Sequence, residues 1–272
     1  MLERFRRAKA AEIAVLENLA ARGAMPSPLP GRRPPFIEML KARSCLPLAV
    51  IAEYKRASPS EGDINPDATP EEVAAAYAKA GAGALSVLTE REYFKGDLAY
   101  LARMAGPGLP LLRKDFIFHP LQVEQSAATP ASAILLIARM LTDDALRELS
   151  HRCADLGLTS VTEVFDEQDL ARARAAGASV IQVNNRDLEN LRVDTELSHR
   201  LVADKDNGEF WITASGIRAH GDLIAAAALG FDAALIGTSL MRCDKPGEAL
   251  AALLQVCGPA SPDADFGGHG GA

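Results

Sequence analysis

The sequence predicts an α/β fold, a closed (β/α)8 barrel of the TIM type that follows an N-terminal helical extension. Short apolar segments alternate with amphipathic segments eight times, and several amphipathic segments end on glycine. Such alternation is typical of strand-helix units repeated around a parallel sheet. Eight units in roughly 210 residues fit a closed barrel better than an open doubly wound sheet. No GxGxxG follows the first strand, which disfavours the dinucleotide-binding alternative.

Eight apolar runs rich in Val, Ile or Leu are predicted to form the barrel strands. Each run is too short for a helix and lies between glycine or polar residues. Because side chains alternate along a strand, Ala49, Ile51, Glu53 and Lys55 are predicted to share one face. The runs are residues 48–54, 84–89, 109–113, 133–138, 160–164, 179–183, 210–214 and 233–236.

Amphipathic stretches between the strands are predicted as the helices of the barrel. The first begins with Thr69-Pro70-Glu71-Glu72, which combines a capping residue, a proline in the first turn and two acidic side chains. Glycine after the last turn is typical of a helix that ends in a left-handed conformation. The clearest stretches are residues 69–80, 143–156, 167–176 and 219–229, followed by Gly81, Gly157, Gly177 and Gly230.

The chain is predicted to have three parts: a helical extension at residues 1–45, a catalytic barrel at 46–257 and a disordered tail at 258–272. The extension contains one long helix, a proline-rich linker and a short helix near residues 36–43. The tail has too few apolar side chains to form a core. The apolar side of the long helix carries Leu2, Phe5, Ile13, Leu16 and Leu19.

Composition excludes several classes of function. The formal net charge of −7 argues against a nucleic-acid surface or a polybasic membrane anchor. No apolar run approaches the roughly 20 residues of a membrane helix, and the N-terminus lacks the features of a secretory signal, so a cytoplasmic location is expected. Neither CxxC nor HxxxH spacing occurs, so no metal site is expected. The sequence does not determine the oligomeric state, and we expect a monomer or a weak homodimer.

Polar residues at the ends of the predicted strands indicate a catalytic site at one mouth of the barrel. Burial of two charges is costly unless they pair or line a cleft, and strand 1 brings a carboxylate and an amine to one place. Any single residue of this kind could be a solvated charge on the rim. Six concordant strand ends disfavour that interpretation for the whole set. The candidate catalytic residues are Glu53, Lys55, Lys114, Glu163, Asn184 and Ser215.

The last two strand ends indicate a phosphate site. Ser215-Gly216 follows strand 7 and Gly237-Thr238 follows strand 8. Many barrels bind phosphate at these positions through backbone N–H groups, and glycine lets the backbone approach the anion closely. Two ordinary turns are the alternative interpretation, which the pairing of the motifs disfavours.

Several collinear motifs resemble the indole-3-glycerol phosphate synthase family. The resemblance covers about residues 1–257. It implies a carboxy-lyase of tryptophan biosynthesis that converts 1-(2-carboxyphenylamino)-1-deoxyribulose 5-phosphate to indole-3-glycerol phosphate. The reaction releases CO2 and water and, by the resemblance, needs neither cofactor nor metal. The motifs are residues 51–60 (IAEYKRASPS), 93–96 (YFKG), 111–116 (LLRKDF), 184–188 (NNRDL), 215–218 (SGIR) and 235–241 (LIGTSLM).

The resemblance also implies roles for the candidate residues. Lys114 would protonate the carbonyl oxygen during ring closure, and either Glu163 or Lys55 would be the acid for the loss of the hydroxyl. Glu53 and Asn184 would position the amine and stabilise the positive charge that develops there. The implied substrate-binding residues are Ser58, Phe94, Phe116, Leu136, Arg186, Gly216, Gly237 and Thr238, with Arg186 at the carboxylate and the serine, threonine and glycines at the phosphate.

Four positions depart from the family pattern. Ala214 replaces an acid, Gln182 a glycine, Glu61 a lysine and Phe165 a histidine. A buried glutamine must find hydrogen-bond partners or cost about 1–3 kcal/mol, whereas a carboxylate on an exposed loop should weaken substrate attraction only modestly. These departures motivate an alternative, a non-catalytic or diverged paralogue that binds a phosphorylated ligand. A third alternative is a related phosphate-binding barrel such as the phosphoribosylanthranilate isomerase or the tryptophan synthase α subunit. The isomerase would be expected to use an early cysteine and a later aspartate as its acid–base pair, and this interpretation is weak because Cys45 precedes strand 1 rather than ending it.

Overall fold

The structure is a computed structural model that describes residues 2–42, 48–59, 61–187 and 192–255. Within these residues eight parallel strands close into a barrel, and each strand pairs with the next along the chain. The last strand pairs with the first, so the barrel has no free edge. The strands are β1 Ala49–Tyr54, β2 Ala84–Leu88, β3 Leu111–Lys114, β4 Ala133–Ile137, β5 Thr159–Val164, β6 Val180–Asn184, β7 Phe210–Ala214 and β8 Ala233–Ile236.

Helices surround the barrel and two of them precede it. The extension contains α1 Leu2–Ala21 and α2 Phe36–Ala42. A 3-10 turn, Ala138–Met140, follows β4. The helices of the barrel are α3 Pro70–Ala80, α4 Ala99–Arg103, α5 Pro120–Ala127, α6 Asp143–Asp155, α7 Glu167–Ala175, α8 Glu196–Val202, α9 His220–Ala228, α10 Thr238–Met241 and α11 Pro246–Leu254.

Helix α3 shows how the local sequence sets helix ends. The Thr69 side chain accepts a hydrogen bond from the Glu72 backbone N–H, and Pro70 occupies the first turn, where no N–H is needed. Gly81 ends the helix in the left-handed region at φ 101°. A β-carbon is strained in this conformation, which explains why glycine occurs there.

The alternation of side chains divides the core into two layers. Val50, Ala52 and Tyr54 of β1 pack outward against the helices. Ala49 and Ile51 of the same strand pack inside the barrel. Glu53 continues the inward series at the carboxyl end of β1, where apolar packing gives way to a cavity.

The predicted barrel is confirmed, with small shifts at the strand ends. The third strand begins at Leu111 rather than at residue 109, and the intervening Pro110 has no N–H to donate to a ladder. The predicted boundaries at residues 45 and 257, the tail at 258–272, Cys45 and Leu188 lie outside the described residues. No described helix is long and apolar enough to cross a membrane.

Helix α1 is fixed to the barrel by a buried cluster of charges. Lys9 Nζ lies 2.7 Å from Asp115 Oδ1, and Arg113 Nη2 lies 2.9 Å from Asp115 Oδ2. The Thr89 hydroxyl donates to Asp115 Oδ2 at 2.6 Å. Glu12 of α1 approaches both cations, at 2.6 Å from Lys9 and 3.3 Å from Arg113. The extension therefore contacts the residues on both sides of Lys114.

Candidate active site

A cavity of about 630 Å³ opens at the carboxyl ends of the strands. Every residue predicted for the site lines this cavity except Leu136. The six strand ends singled out in the sequence therefore converge, as the barrel geometry requires. Enclosure of charged side chains in a cleft of this size is typical of a small-molecule site.

The placement of Leu136 in the site is wrong. Its side chain packs in the outer layer, between the strands and the helices. Its neighbours Leu135 and Ile137 point inward and line the cavity. The prediction was off by one residue, which reverses the direction of a side chain on a strand. Strand β4 is apolar on both faces, so the sequence has no alternation that shows which residues point inward.

One ammonium–carboxylate pair lies at the end of β1. Lys55 Nζ is 3.0 Å from Glu53 Oε1, and the Ser86 hydroxyl donates to Glu53 Oε2 at 3.3 Å. Burial alone would raise the pKa of Glu53, but the charges of Lys55 and Lys114 outweigh it and hold the pKa below its ordinary value. Glu53 is therefore ionised at neutral pH.

Glycine at position 237 makes room for this carboxylate. A β-carbon built there would lie 2.4 Å from Glu53 Oε1 and 3.0 Å from Glu53 Cβ. The first contact is shorter than van der Waals packing allows, and the second is tighter than most β-carbon contacts. Gly237 therefore permits β8 to approach the charged pair as well as the ligand space beside it.

A second pair joins β3 and β5. Lys114 Nζ lies 3.7 Å from Glu163 Oε2, and the Gln182 amide donates to the same oxygen. Burial would lower the pKa of Lys114, but the charges of Glu163 and Glu53 outweigh it and raise the pKa. Lys114 is therefore a cation throughout the neutral range, held beside two carboxylates at the mouth of the barrel.

Hydrogen bonds between β6 and β7 hold the turn that was predicted to bind phosphate. The Ser215 hydroxyl donates to Asn184 Oδ1 at 3.0 Å. Ser215 and Gly216 both adopt positive φ, 67° and 102°, which turns the backbone sharply at the cavity wall. The Asn185 amide donates to the Ser215 carbonyl at 3.0 Å and so supports this strained turn. Sequence reasoning missed Asn185, because its role depends on a residue 30 positions away.

Phe5, Phe94 and Phe116 form an aromatic wall of the same cavity, and Phe5 comes from the extension. The Phe5 ring stacks on Phe116 with centroids 4.1 Å apart, and the Phe94 ring lies 6.2 Å from Phe116. The buried Glu90 carboxylate accepts the Tyr93 and Phe94 backbone N–H groups and fixes that loop. Sequence reasoning placed Phe5 on the apolar side of a helix but did not assign it to the site.

The loop after β1 contributes Ser58 and Glu61 to the cavity lining. It carries Ser58 and a two-residue antiparallel ladder, Ala57–Ser58 with Gly62–Asp63. Glu61 forms two contacts with Arg242, at 2.9 and 2.8 Å. The negative charge that was expected to repel substrate is therefore compensated by a cation on the same wall of the cavity.

Each of the other departures from the family pattern finds at least one partner or room in the cavity, although the amide oxygen of Gln182 has no partner among the described residues. Gln182 is fully buried, and its amide nitrogen donates to Glu163. Ala214 lines the cavity, where a small apolar side chain leaves room. Arg139 lies over the Phe165 ring, 4.2 Å from its centroid. Among the residues that the structure describes, no group of three or more His, Cys, Asp or Glu is placed to hold a metal ion.

Comparison with known proteins gives one consistent family. The indole-3-glycerol phosphate synthase family model matches residues 2–253. The chain is 44% identical to the indole-3-glycerol phosphate synthase of Aquifex aeolicus (strain VF5) over 82% of this chain and 87% of that protein. It is 40% identical to the enzyme of the same name from Mycobacterium ulcerans (strain Agy99) over 91% of this chain and 88% of that protein.

Solved structures of lower identity share the fold alone. A 3-hexulose-6-phosphate synthase structure has a TM-score of 0.60 at 14% identity and covers 76% of this chain and 99% of that one. A mandelate oxidase variant has the same TM-score at 20% identity and covers 85% of this chain and 80% of that one. Barrels of this kind serve many chemistries, so these likenesses add nothing about the reaction.

Proposed function

This chain belongs to the indole-3-glycerol phosphate synthase family, and we propose that its cavity residues divide ring closure, decarboxylation and dehydration among them. The activity is that of a carboxy-lyase in tryptophan biosynthesis. The observation that supports our assignment is the presence of two ammonium–carboxylate pairs, Lys55–Glu53 and Lys114–Glu163, in one cavity. Groups with opposed charges and different surroundings can take separate acid and base roles.

The substrate is proposed to lie with its aromatic ring against Phe5, Phe94 and Phe116. This wall is the largest aromatic surface of the cavity, and ring stacking favours a flat substrate. The phosphate is proposed to bind at the other end, where the backbone turns at the ends of β7 and β8. The residues there are Ser58, Ser215, Gly216, Gly237 and Thr238, with Lys55 close by and Arg186 assigned to the substrate carboxylate.

Lys114 is proposed to protonate the ketone oxygen as the aromatic carbon attacks the ketone. The alkoxide that develops is far more basic than an amine, so an ammonium with a raised pKa still donates to it. The charge of Lys114 also stabilises that oxygen before the proton moves. Lys114 was assigned this role by family resemblance, and its position beside two carboxylates keeps it charged.

Ring closure leaves positive charge on the substrate nitrogen, and we assign its stabilisation to Glu53 and Asn184. The Glu53 carboxylate is ionised and buried, so its field acts in a medium of low dielectric constant. Loss of CO2 then returns the bonding electrons to the ring and cancels the charge on nitrogen. No further proton is needed at this step.

Dehydration requires an acid for the hydroxyl and a base for the adjacent ring carbon. Glu163 Oε2 accepts a hydrogen bond from the Gln182 amide and lies 3.7 Å from the Lys114 ammonium, and both neighbours favour an oxygen that acts as an acceptor. We therefore assign the base role to Glu163 and the acid role to Lys55. Lys55 gives a proton to the departing hydroxyl, which leaves as water, and Glu163 takes the proton from the methylene carbon. This chooses between the two acids that the sequence left open.

The assignment is tested by following CO2 and indole fluorescence separately in a single turnover at saturating substrate. Lys114→Met should abolish both signals because ring closure precedes decarboxylation. Lys55→Met should still release CO2 but form indole at least about tenfold more slowly, because general acid catalysis contributes at least that much. Equal loss of both signals in Lys55→Met would contradict its assignment to dehydration. Full indole formation by Lys114→Met would contradict its role in ring closure.

We propose further that the enzyme acts in the cytoplasm as a monomer or a weak homodimer. The support for a reducing compartment is the free thiol of Cys153, which is buried in the core. Sedimentation at several protein concentrations would measure the association, and a stable dimer at nanomolar concentration would contradict this proposal.

A further inference from the structure

Gln182 is a buried polar side chain inside the barrel for which the reaction above has no role. It lies on β6 directly opposite Glu163 of β5 in the parallel register. Its side chain is fully buried and does not line the cavity, whereas Glu163 does. Gln182 does not border the cavity, so we expect it to affect the reaction through the Glu163 carboxylate that it contacts and not by touching the substrate.

The contacts of Glu163 are concentrated on one of its two oxygens. The Gln182 amide nitrogen donates to Oε2, and Lys114 Nζ lies 3.7 Å from the same atom. One hydrogen bond and one nearby cation at the same oxygen restrict rotation of the carboxylate about its last bond. The other oxygen, Oε1, is the one that remains for a proton from the substrate.

We propose that Gln182 is a positioning residue that holds Glu163 in the orientation needed to accept the substrate proton. The proposal rests on the base role assigned to Glu163 above and adds a residue to it. Catalytic side chains must be held close to their productive geometry, and a supporting hydrogen bond from a buried neighbour is the usual means.

The hydrogen bond from the Gln182 amide also supports the same role after the proton has moved. The amide oxygen of Gln182 has no hydrogen-bond partner among the described residues, so the contact with Glu163 is made through the amide nitrogen alone. When Glu163 accepts the substrate proton on its own Oε1, its Oε2 remains an acceptor, and the Gln182 N–H keeps its hydrogen bond there. An amide serves both protonation states of a carboxyl group, which neither an apolar side chain nor a second carboxylate can do.

The test is the substitution Gln182→Met, which keeps the length of the side chain and removes the amide. We expect kcat to fall about tenfold with KM unchanged within about twofold, the size expected for one lost hydrogen bond to a charged group. Thr162→Val is the matched control. Thr162 is fully buried beside Glu163 on β5, and its hydroxyl has no partner among the described residues. It should leave kcat and KM unchanged.

The double variant separates positioning from packing. In the Glu163→Gln background, Gln182→Met should cause no further loss in single-turnover rate, because the group it positions is already gone. An additional tenfold loss there would overturn the inference and indicate a role in packing. If Gln182→Met does not fold, Gln182→Leu provides the same comparison with a branched apolar side chain.

Failure of this inference is distinguishable from failure of the proposed function. If Glu163→Gln loses most of its rate while Gln182→Met keeps all of its own, only the role of Gln182 is overturned. If Glu163→Gln itself keeps the full rate, the base assignment is wrong and the positioning role is overturned with it.

Discussion

Two clusters of buried charge lie on opposite faces of one chain segment, and they differ in how completely their charges are satisfied. Arg113 contacts α5 and the Asp115 carboxylate contacts Lys9 of α1, whereas Lys114 between them contacts Glu163 across the mouth of the barrel. Asp115 accepts from Lys9, Arg113, the Thr89 hydroxyl and the Phe116 backbone N–H. Within the described part of the chain, Lys114 has one ion-pair contact, at 3.7 Å from Glu163.

The difference teaches which buried charges hold the fold and which perform chemistry. Burial alone would raise the pKa of Asp115, but Arg113 and Lys9 outweigh it and lower the pKa, and the carboxylate is closed off from solvent. A charge whose hydrogen bonds are all used cannot exchange a proton with a ligand. Lys114 keeps donors that face an open cavity, so its charge is available to substrate.

The largest effect should follow removal of the Lys114 charge, which is available to substrate. Lys114→Met should lower kcat by at least about a thousandfold, because it removes both the acid and the cation that stabilises the developing alkoxide. The free energy of unfolding should fall by less than about 3 kcal/mol, since the Lys114–Glu163 contact is long at 3.7 Å and the Gln182 amide still donates to Glu163. Steady-state kinetics and urea unfolding measure the two quantities. If Lys114→Met lowered the free energy of unfolding by as much as it raised the activation free energy, the contrast between Lys114 and the Asp115 cluster would be removed.

The next largest effect should follow removal of the Asp115 charge, whose hydrogen bonds are all made within the protein. Asp115→Asn should lower the free energy of unfolding by about 3–5 kcal/mol, because Lys9 and Arg113 then remain buried with too little negative charge. Asp144→Asn, at an exposed pair with Arg147, is the control and should cost less than about 1 kcal/mol. Urea unfolding at neutral pH measures both. Equal costs would show that the buried cluster contributes no more than a surface pair.

The stabilisation by Asp115 should depend on pH in one direction. Its pKa in the folded chain is lower than the ordinary value of 3.8, so its contribution is complete above pH 3.8 and is lost as the pH falls toward the folded value. The difference in unfolding free energy between the wild type and Asp115→Asn should therefore be constant between pH 5 and 7 and narrow below pH 3.8. A difference in unfolding free energy that grows as the pH falls would contradict the predicted direction of the pH dependence.

The smallest effect should come from the pair on the loop after β1. Arg242 is largely exposed where it meets Glu61, so the pair is screened by solvent. Glu61→Ala should change KM by less than about fivefold, with a smaller change at high salt than at low salt. Substrate titrations at two ionic strengths measure this. A large, salt-independent change would place Glu61 in direct contact with substrate.

The sequence predicts local features of this molecule well and long-range contacts poorly. Strand order and the inward direction of Glu53 follow from alternation and from helix ends at glycine, which are properties of neighbouring residues. Leu136 was misplaced because a strand buried on both faces has no alternation to read. The contact of Phe5 with Phe116 and the salt bridge of Lys9 with Asp115 join residues more than a hundred positions apart, and only packing decides such pairs.

The central claim is that adjacent residues 114 and 115 serve two separate purposes, and a double-variant cycle tests it most directly. Unfolding free energy is measured for the wild type, Lys114→Met, Asp115→Asn and the double variant. The account predicts that Asp115→Asn costs the same about 3–5 kcal/mol with either residue at position 114. A cost that disappears in the Lys114→Met background would show that the two clusters are one charge network and contradict the account.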